Sequence, residues 1–199
     1  MLPNPLLFDV VVFDLDLQLR LFGLLAFVFA CATYPVYIRD MISGVLTPPR
    51  STWFMWFALD VVALGSRINE GVLDTLLLAF TLGTFVVALF TIRYGKKGWS
   101  NTESYCVVIV SLAIIVWFFS VPLYATICSL FGMSVATYPM FKRVIKGERE
   151  SLLAWLLVLI ATIMNLLDGQ ILTSLWIIVI VLSIIIPVFH HHKLKLIKI

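Results

Sequence analysis

The sequence predicts an all-α membrane protein of seven transmembrane helices, built as two parallel three-helix repeats joined by a linker helix (3+1+3). Three observations predict it. Hydrophobic residues make up 62% of the chain and charged ones 13%, with a mean hydropathy of +1.08. Soluble domains hold about 45–50% and about 25%, so most of these helices must face lipid. Basic residues fall at alternate ends of seven apolar runs, and the tetrapeptide Ala32-Thr33-Tyr34-Pro35 recurs as Ala136-Thr137-Tyr138-Pro139.

An apolar run approaching about 20 residues with few charges reads as a spanning helix. In order, the runs are Leu17 to Tyr37, Ser51 to Arg67, Val72 to Ile92, Glu103 to Val121, Pro122 to Phe141, Ser151 to Leu167 and Ile171 to Phe189. The long stretch from Tyr105 to Phe141 is divided at Pro122, because proline lacks a backbone donor and suits a first helical turn. The second and sixth runs are short and call for shielding by their neighbours. Upstream, Pro5 to Val12 is compatible with a segment lying along the interface, a placement the sequence leaves open.

Every lysine and arginine except Arg20 and Arg67 falls on one side of this division. The positive-inside rule makes that side cytoplasmic. The expected product is an integral protein of a prokaryotic plasma membrane, with its N-terminus outside and its C-terminus in the cytoplasm. The organisation is an outside segment (1–16), a first repeat (17–92), a basic loop with the linker helix (93–121), a second repeat (122–189) and a basic tail (190–199). The N-terminus carries Asp9, Asp14 and Asp16 without an early basic residue, unlike a signal peptide, and is expected to be retained. Cys31, Cys106 and Cys128 lie in apolar runs without paired spacing, so they read as small core residues. The His190–His192 run beside lysines reads as an interfacial tail or an expression tag, so neither metal nor cofactor is expected. The net charge of +3 is dispersed among loops and forms no nucleic-acid face.

The tetrapeptide likeness extends further. Pro35 and Arg39 match Pro139 and Arg143 at an offset of 104 (139 − 35). Past a shorter second loop the offset is 99 (155 − 56), pairing Trp56 with Trp155, Leu73 with Leu172, Thr75 with Ser174, and Thr84 with Ser183. Helices one to three thus match five to seven. A unit of three helices repeats in the same orientation only with one extra crossing, which helix four supplies. Chance similarity between Leu- and Val-rich helices is the competing explanation.

Two stretches carry a resemblance to a known family: Tyr34-Pro35-Val36-Tyr37-Ile38-Arg39 before Ser51-Thr52-Trp53, and Tyr138-Pro139-Met140-Phe141-Lys142-Arg143 before Glu150-Ser151 and Trp155. With them the chain resembles the PQ-loop and SWEET superfamily, in the manner of its small prokaryotic members, over roughly residues 21–189. Val36 and Met140 stand where that superfamily has its glutamine. The resemblance implies two three-helix bundles with Pro35 and Pro139 as hinges of the cytoplasmic side. Its members move sugars or amino acids, and one branch works as a receptor, so the fold alone does not assign function.

Helix two places Trp53, Trp56, Asp60, Leu64 and Arg67 on one face. Asp60 lies roughly 13 Å deep at 1.5 Å per residue. A carboxylate at such depth costs about 2.5–3.5 kcal/mol and must face protein or water. It is a group for proton coupling or substrate pairing, or else a structural hydrogen-bond acceptor. Helix six offers Trp155, Thr162 and Asn165 near one face, and helices three and seven offer Thr84 and Ser183 at matching positions. An aromatic wall with a few polar groups suits a small organic ligand; interfacial anchors and helix-packing groups are the competing explanation. A lone threonine or serine commonly bonds back to its own helix.

No phosphate-binding loop, nucleophile motif or His-Cys cluster is present, so no enzyme is expected. The expected function is transport of a small solute (sugar, amino acid or similar metabolite) by alternating access between two bundles. The alternative is a non-transporting receptor or assembly factor of the same fold. Expected partners are the lipid bilayer and a small-molecule substrate of unknown identity, with no nucleic acid; a homo-oligomer is compatible with the sequence.

Overall fold

A computed structural model describes residues 5–97, 100–119 and 122–196, with side chains described for all of these except 5–20, 113, 122, 123, 125, 126 and 191–196. The described chain is all-helical. Its seven helices are α1 (Pro5–Ile42), α2 (Arg50–Asn69), α3 (Thr75–Tyr94), α4 (Asn101–Phe119), α5 (Pro122–Ile145), α6 (Leu152–Leu167) and α7 (Ile171–Leu196). Four are apolar and long enough to cross a membrane: Leu21–Ile42 of α1, α3, α4 and Ile171–His190 of α7. Large apolar side chains cover the outside, with Phe119 88%, Val179 69% and Ile186 64% exposed. Such a shell is compatible with insertion into lipid.

The start of α1 lies well upstream of the expected Leu17, so the Pro5–Val12 segment is continuous with the first helix. The expected side-chain roles of Asp9, Asp14, Asp16 and Arg20, and those of His191, His192 and the tail lysines, fall outside the described side chains. The helices carrying the tetrapeptides also continue past their prolines, to Ile42 and Ile145. Proline removes only one intrahelical donor and its ring presses on the preceding turn, so the helix continues once that turn is passed. Both then stop in the same way. Gly44 (φ 72°) and Gly147 (φ 81°) adopt the left-handed conformation. Their amides return to Met41 and Val144, and those of Val45 and Glu148 to Asp40 and Arg143. This double bond pattern satisfies the last carbonyls of each helix.

The helix contacts follow a simple scheme. Helix α3 packs against both α1 and α2, and α7 against both α5 and α6; α1 lies along α6, α2 along α5, and α4 covers α5 and α2. The buried core runs along these seams through Leu59, Leu76, Leu77, Leu130, Met140 and Ile184. Close approach needs small residues. A Cβ placed on Gly83 of α3 would stand 1.8 Å from the Tyr34 ring of α1, so only glycine leaves that slot open.

The three basic inter-helix loops meet at one end. The Lys96 amide donates to Pro48 O (2.9 Å), and Ser151 Oγ on the α5–α6 loop donates to Asp40 Oδ2 (2.6 Å). At the opposite end Arg67 donates to Gln170 Oε1 (2.7 Å), and Thr75 Oγ1 donates to Gly23 O (3.0 Å).

Candidate functional site

Between the helices lies a cavity of about 80 Å³. Thr33, Tyr34 and Tyr37 reach it from α1, Trp53, Trp56 and Asp60 from α2, and Phe80 and Thr84 from α3. Met133 comes from α5, Trp155 and Val158 from α6, and Ile177, Ile180 and Val181 from α7. Its position follows from the sequence: residues three and four apart share a helix face, so Trp53, Trp56 and Asp60 point together, as do Phe80 and Thr84. The volume holds several waters but is well under the roughly 300 Å³ where pockets for drug-sized ligands begin.

An aromatic chain forms the wall towards the basic loops. Tyr37 and Trp53 have centroids 4.7 Å apart, Trp53 and Trp56 5.0 Å, and Trp56 and Trp155 5.8 Å. The last two pairs meet edge to face, the arrangement favoured by the ring quadrupole. The Trp56 indole donates to Met133 O and the Trp155 indole to Glu150 Oε1, each at a long 3.4 Å. Trp53 Nε1 and Tyr37 Oη are buried, and the Tyr37 hydroxyl lies beside the Glu150 carboxyl and the Trp53 indole.

At the other side of the cavity Asp60 is 3% exposed. Its Oδ2 lies 2.8 Å from Thr84 Oγ1, which is also 2.7 Å from Phe80 O. Thr84 has one proton to donate. Its hydroxyl either shares that proton between Asp60 Oδ2 and Phe80 O or, when Asp60 is protonated, accepts from Asp60 and donates to Phe80 O. Phe80 O also accepts from Tyr34 Oη (3.4 Å). This chain joins α2, α3 and α1. Among the described residues no cationic side chain lines the cavity.

Of the residues singled out from sequence, Trp56, Asp60, Thr84 and Trp155 line the cavity; Thr162, Asn165 and Ser183 do not. Thr162 Oγ1 donates to Val158 O (2.7 Å) and Ser183 Oγ to Ile180 O (2.6 Å), both within their own helices. Asn165 is fully buried and donates to Ser174 Oγ (3.1 Å). Pro35 is exposed, whereas Pro139 is buried. Tyr34, Tyr37 and Glu150 stand in the stretches that carry the family resemblance but were not among the expected cavity residues. The two tyrosines flank Pro35 at helical spacing, and that pattern could have found them. Glu150 read as loop, yet it is 8% exposed and its burial raises its pKa above the ordinary carboxylate value. Beside it, the Arg143 guanidinium bonds Glu148 and holds that carboxyl below its usual value. Among the described residues no His, Cys, Asp or Glu cluster fits a metal ion.

Comparison with protein-family models, curated proteins and solved structures gives no match.

Proposed function

We propose that the chain is a small-solute membrane transporter of two parallel three-helix bundles, α1–α3 and α5–α7, joined by α4. The helix contacts support this reading. Exchanging α1, α2 and α3 with α5, α6 and α7 returns the main scheme: the third helix of each trio lies between its partners, and α1–α6 exchanges with α5–α2. Trp56 and Trp155, matched by the sequence offset, meet each other as two residues beside a pseudo-two-fold axis would.

The observation that carries the functional reading is Asp60. A buried carboxyl with a hydroxyl neighbour and, among the described residues, no cation faces a cavity lined from both trios. Burying such a group is costly unless it is used. Losing the Asp60 proton turns the Thr84 hydroxyl towards Asp60 and releases Phe80 O, which loosens α3 against itself while Tyr34 stays bound. That gives proton transfer a mechanical consequence. The titratable neighbours of Asp60 are Tyr34 and, behind it, Cys31, both on α1.

The small volume describes a closed arrangement, in which helix separation admits the solute. Pro35 and Pro139, each near the basic-loop end of its helix, serve as the hinges. The test is uptake into proteoliposomes over a panel of amino acids and sugars at several pH values. Asp60→Asn is expected to abolish the pH dependence of uptake, and Pro35→Ala to slow uptake without loss of folded protein. Peptide or protein binding without flux would establish the receptor alternative.

A further inference from the structure

On the outer flank of the molecule, away from the cavity, a basic cleft of about 360 Å³ opens between the α3–α4 loop, the start of α4 and the end of α5. Lys96, Lys97, Lys142, Arg143 and Lys146 line it. Its two acids are already engaged. Glu148 pairs with Arg143 and, at 3.8 Å, with Lys96. Glu103 accepts from Ser51 Oγ (2.5 Å) and the Ser100 amide (2.6 Å). Lys97, Lys142 and Lys146 are exposed and hold no ion pair among the described residues. The first turn of α4 adds the positive end of its dipole.

A second, apolar groove of about 490 Å³ begins where the cleft ends, with Thr102 lining both. It runs between α4 and α5 past Tyr105, Ile109, Val135 and Tyr138. Tyr105 is 71% and Tyr138 50% exposed, so their rings flank the groove. Lys142 Nζ, 3.5 Å from Thr102 Oγ1, marks the junction. A cationic hollow continuous with an apolar channel on the outside of a bundle fits one kind of molecule: an acyl chain with an anionic phosphate headgroup.

We infer that this flank binds an anionic phospholipid, with its phosphate among Lys97, Lys142 and Lys146 and one chain along the α4–α5 groove. The site stands whether or not the cavity carries a solute. Because Pro139 lines the cleft, the lipid clamps α4 to α5 beside that proline.

The test is thermal unfolding and native mass spectrometry of the full chain in detergent. Added ligands are dioleoyl phosphatidylglycerol, dioleoyl phosphatidylcholine or glycerol 3-phosphate. Phosphatidylglycerol is expected to bind and raise the unfolding temperature, with phosphatidylcholine doing much less. Lys97→Glu combined with Lys146→Glu, both on the surface, weakens phosphatidylglycerol binding by about thirtyfold or more, from about 1 kcal/mol for each lysine. Ile109→Trp, which fills the groove, weakens lipid binding and leaves any glycerol 3-phosphate response intact. Equal stabilisation by phosphatidylcholine overturns the inference, as does unchanged affinity in the double variant. Full stabilisation by glycerol 3-phosphate alone assigns the cleft to a free anion and also overturns it.

Discussion

In α1 the tyrosine of the first Ala-Thr-Tyr-Pro is 8% exposed and reaches Phe80 O, while its proline faces outward; in α5 the second tyrosine is 50% exposed and the proline is buried. The preceding threonines behave alike, Thr33 bonding Phe29 O (3.2 Å) and Thr137 bonding Met133 O (2.7 Å). The difference arises in the neighbouring helix. Gly83 opens a slot for the Tyr34 ring; the position matched to it by the sequence offset is Leu182, an exposed residue. Helix α4 packs on α5 and, among the described residues, not on α1, and the Tyr138 ring lies along the groove between α4 and α5. Asp60 likewise has Leu159 as its match. The first trio holds the polar chemistry, and the second supplies apolar wall.

The largest effect that breaks this contrast is expected from Gly83→Leu, which gives the first trio the residue of the second. Overpacking costs about 1–3 kcal/mol, and loss of the Tyr34 position adds to it. Denaturant unfolding in detergent measures the change, and adding Tyr34→Ala recovers much of it, since the two residues share one space. Next comes the hydroxyl pair. Thr84→Val keeps shape but removes the partner of Asp60, costing about 1–3 kcal/mol, whereas Ser183→Ala changes stability by less than about 0.5 kcal/mol. Equal losses at the two sites would contradict the division between the trios.

The smallest effect concerns Glu150. Its folded pKa lies above its unfolded value of about 4.3, because burial disfavours the charge. The folded state therefore keeps a proton that the unfolded state releases, and stability falls as pH rises between the two values. Glu150→Gln keeps an acceptor for Trp155 and is expected to flatten that decline. The readout is the unfolding temperature from pH 4 to pH 8.

Much of the helix plan was legible because apolar length and basic loops are local properties. Six of the starts lie within a few residues of those expected, the exception being α1. Its beginning was hidden because Asp9, Asp14 and Asp16 interrupt the hydropathy without interrupting the helix. Trp56, Asp60 and Trp155 were readable as cavity residues because indoles and a lone carboxyl are conspicuous in apolar helices. For Ser183 the sequence offered both a cavity role and a bond back to its own helix, and for Thr162 a cavity or a helix-packing role, since the same hydroxyl serves either depending on a rotation of tens of degrees. Asn165 lies with Ser174 because of how α6 meets α7, a pairing with no local signature. Tyr34 needed the shape of Gly83 on another helix, which periodicity does not encode.

The aromatic chain has an optical consequence. Three of the six tryptophans, Trp53, Trp56 and Trp155, stand in consecutive ring contact across the boundary between the trios. At centroid separations of 5.0 and 5.8 Å their electronic transitions couple, so near-ultraviolet circular dichroism and intrinsic emission depend on the trios staying together. Parting α2 from α6 uncouples one indole from the other two. The molecule therefore carries its own unlabelled gauge of the opening proposed above, read by light in the wall of the cavity.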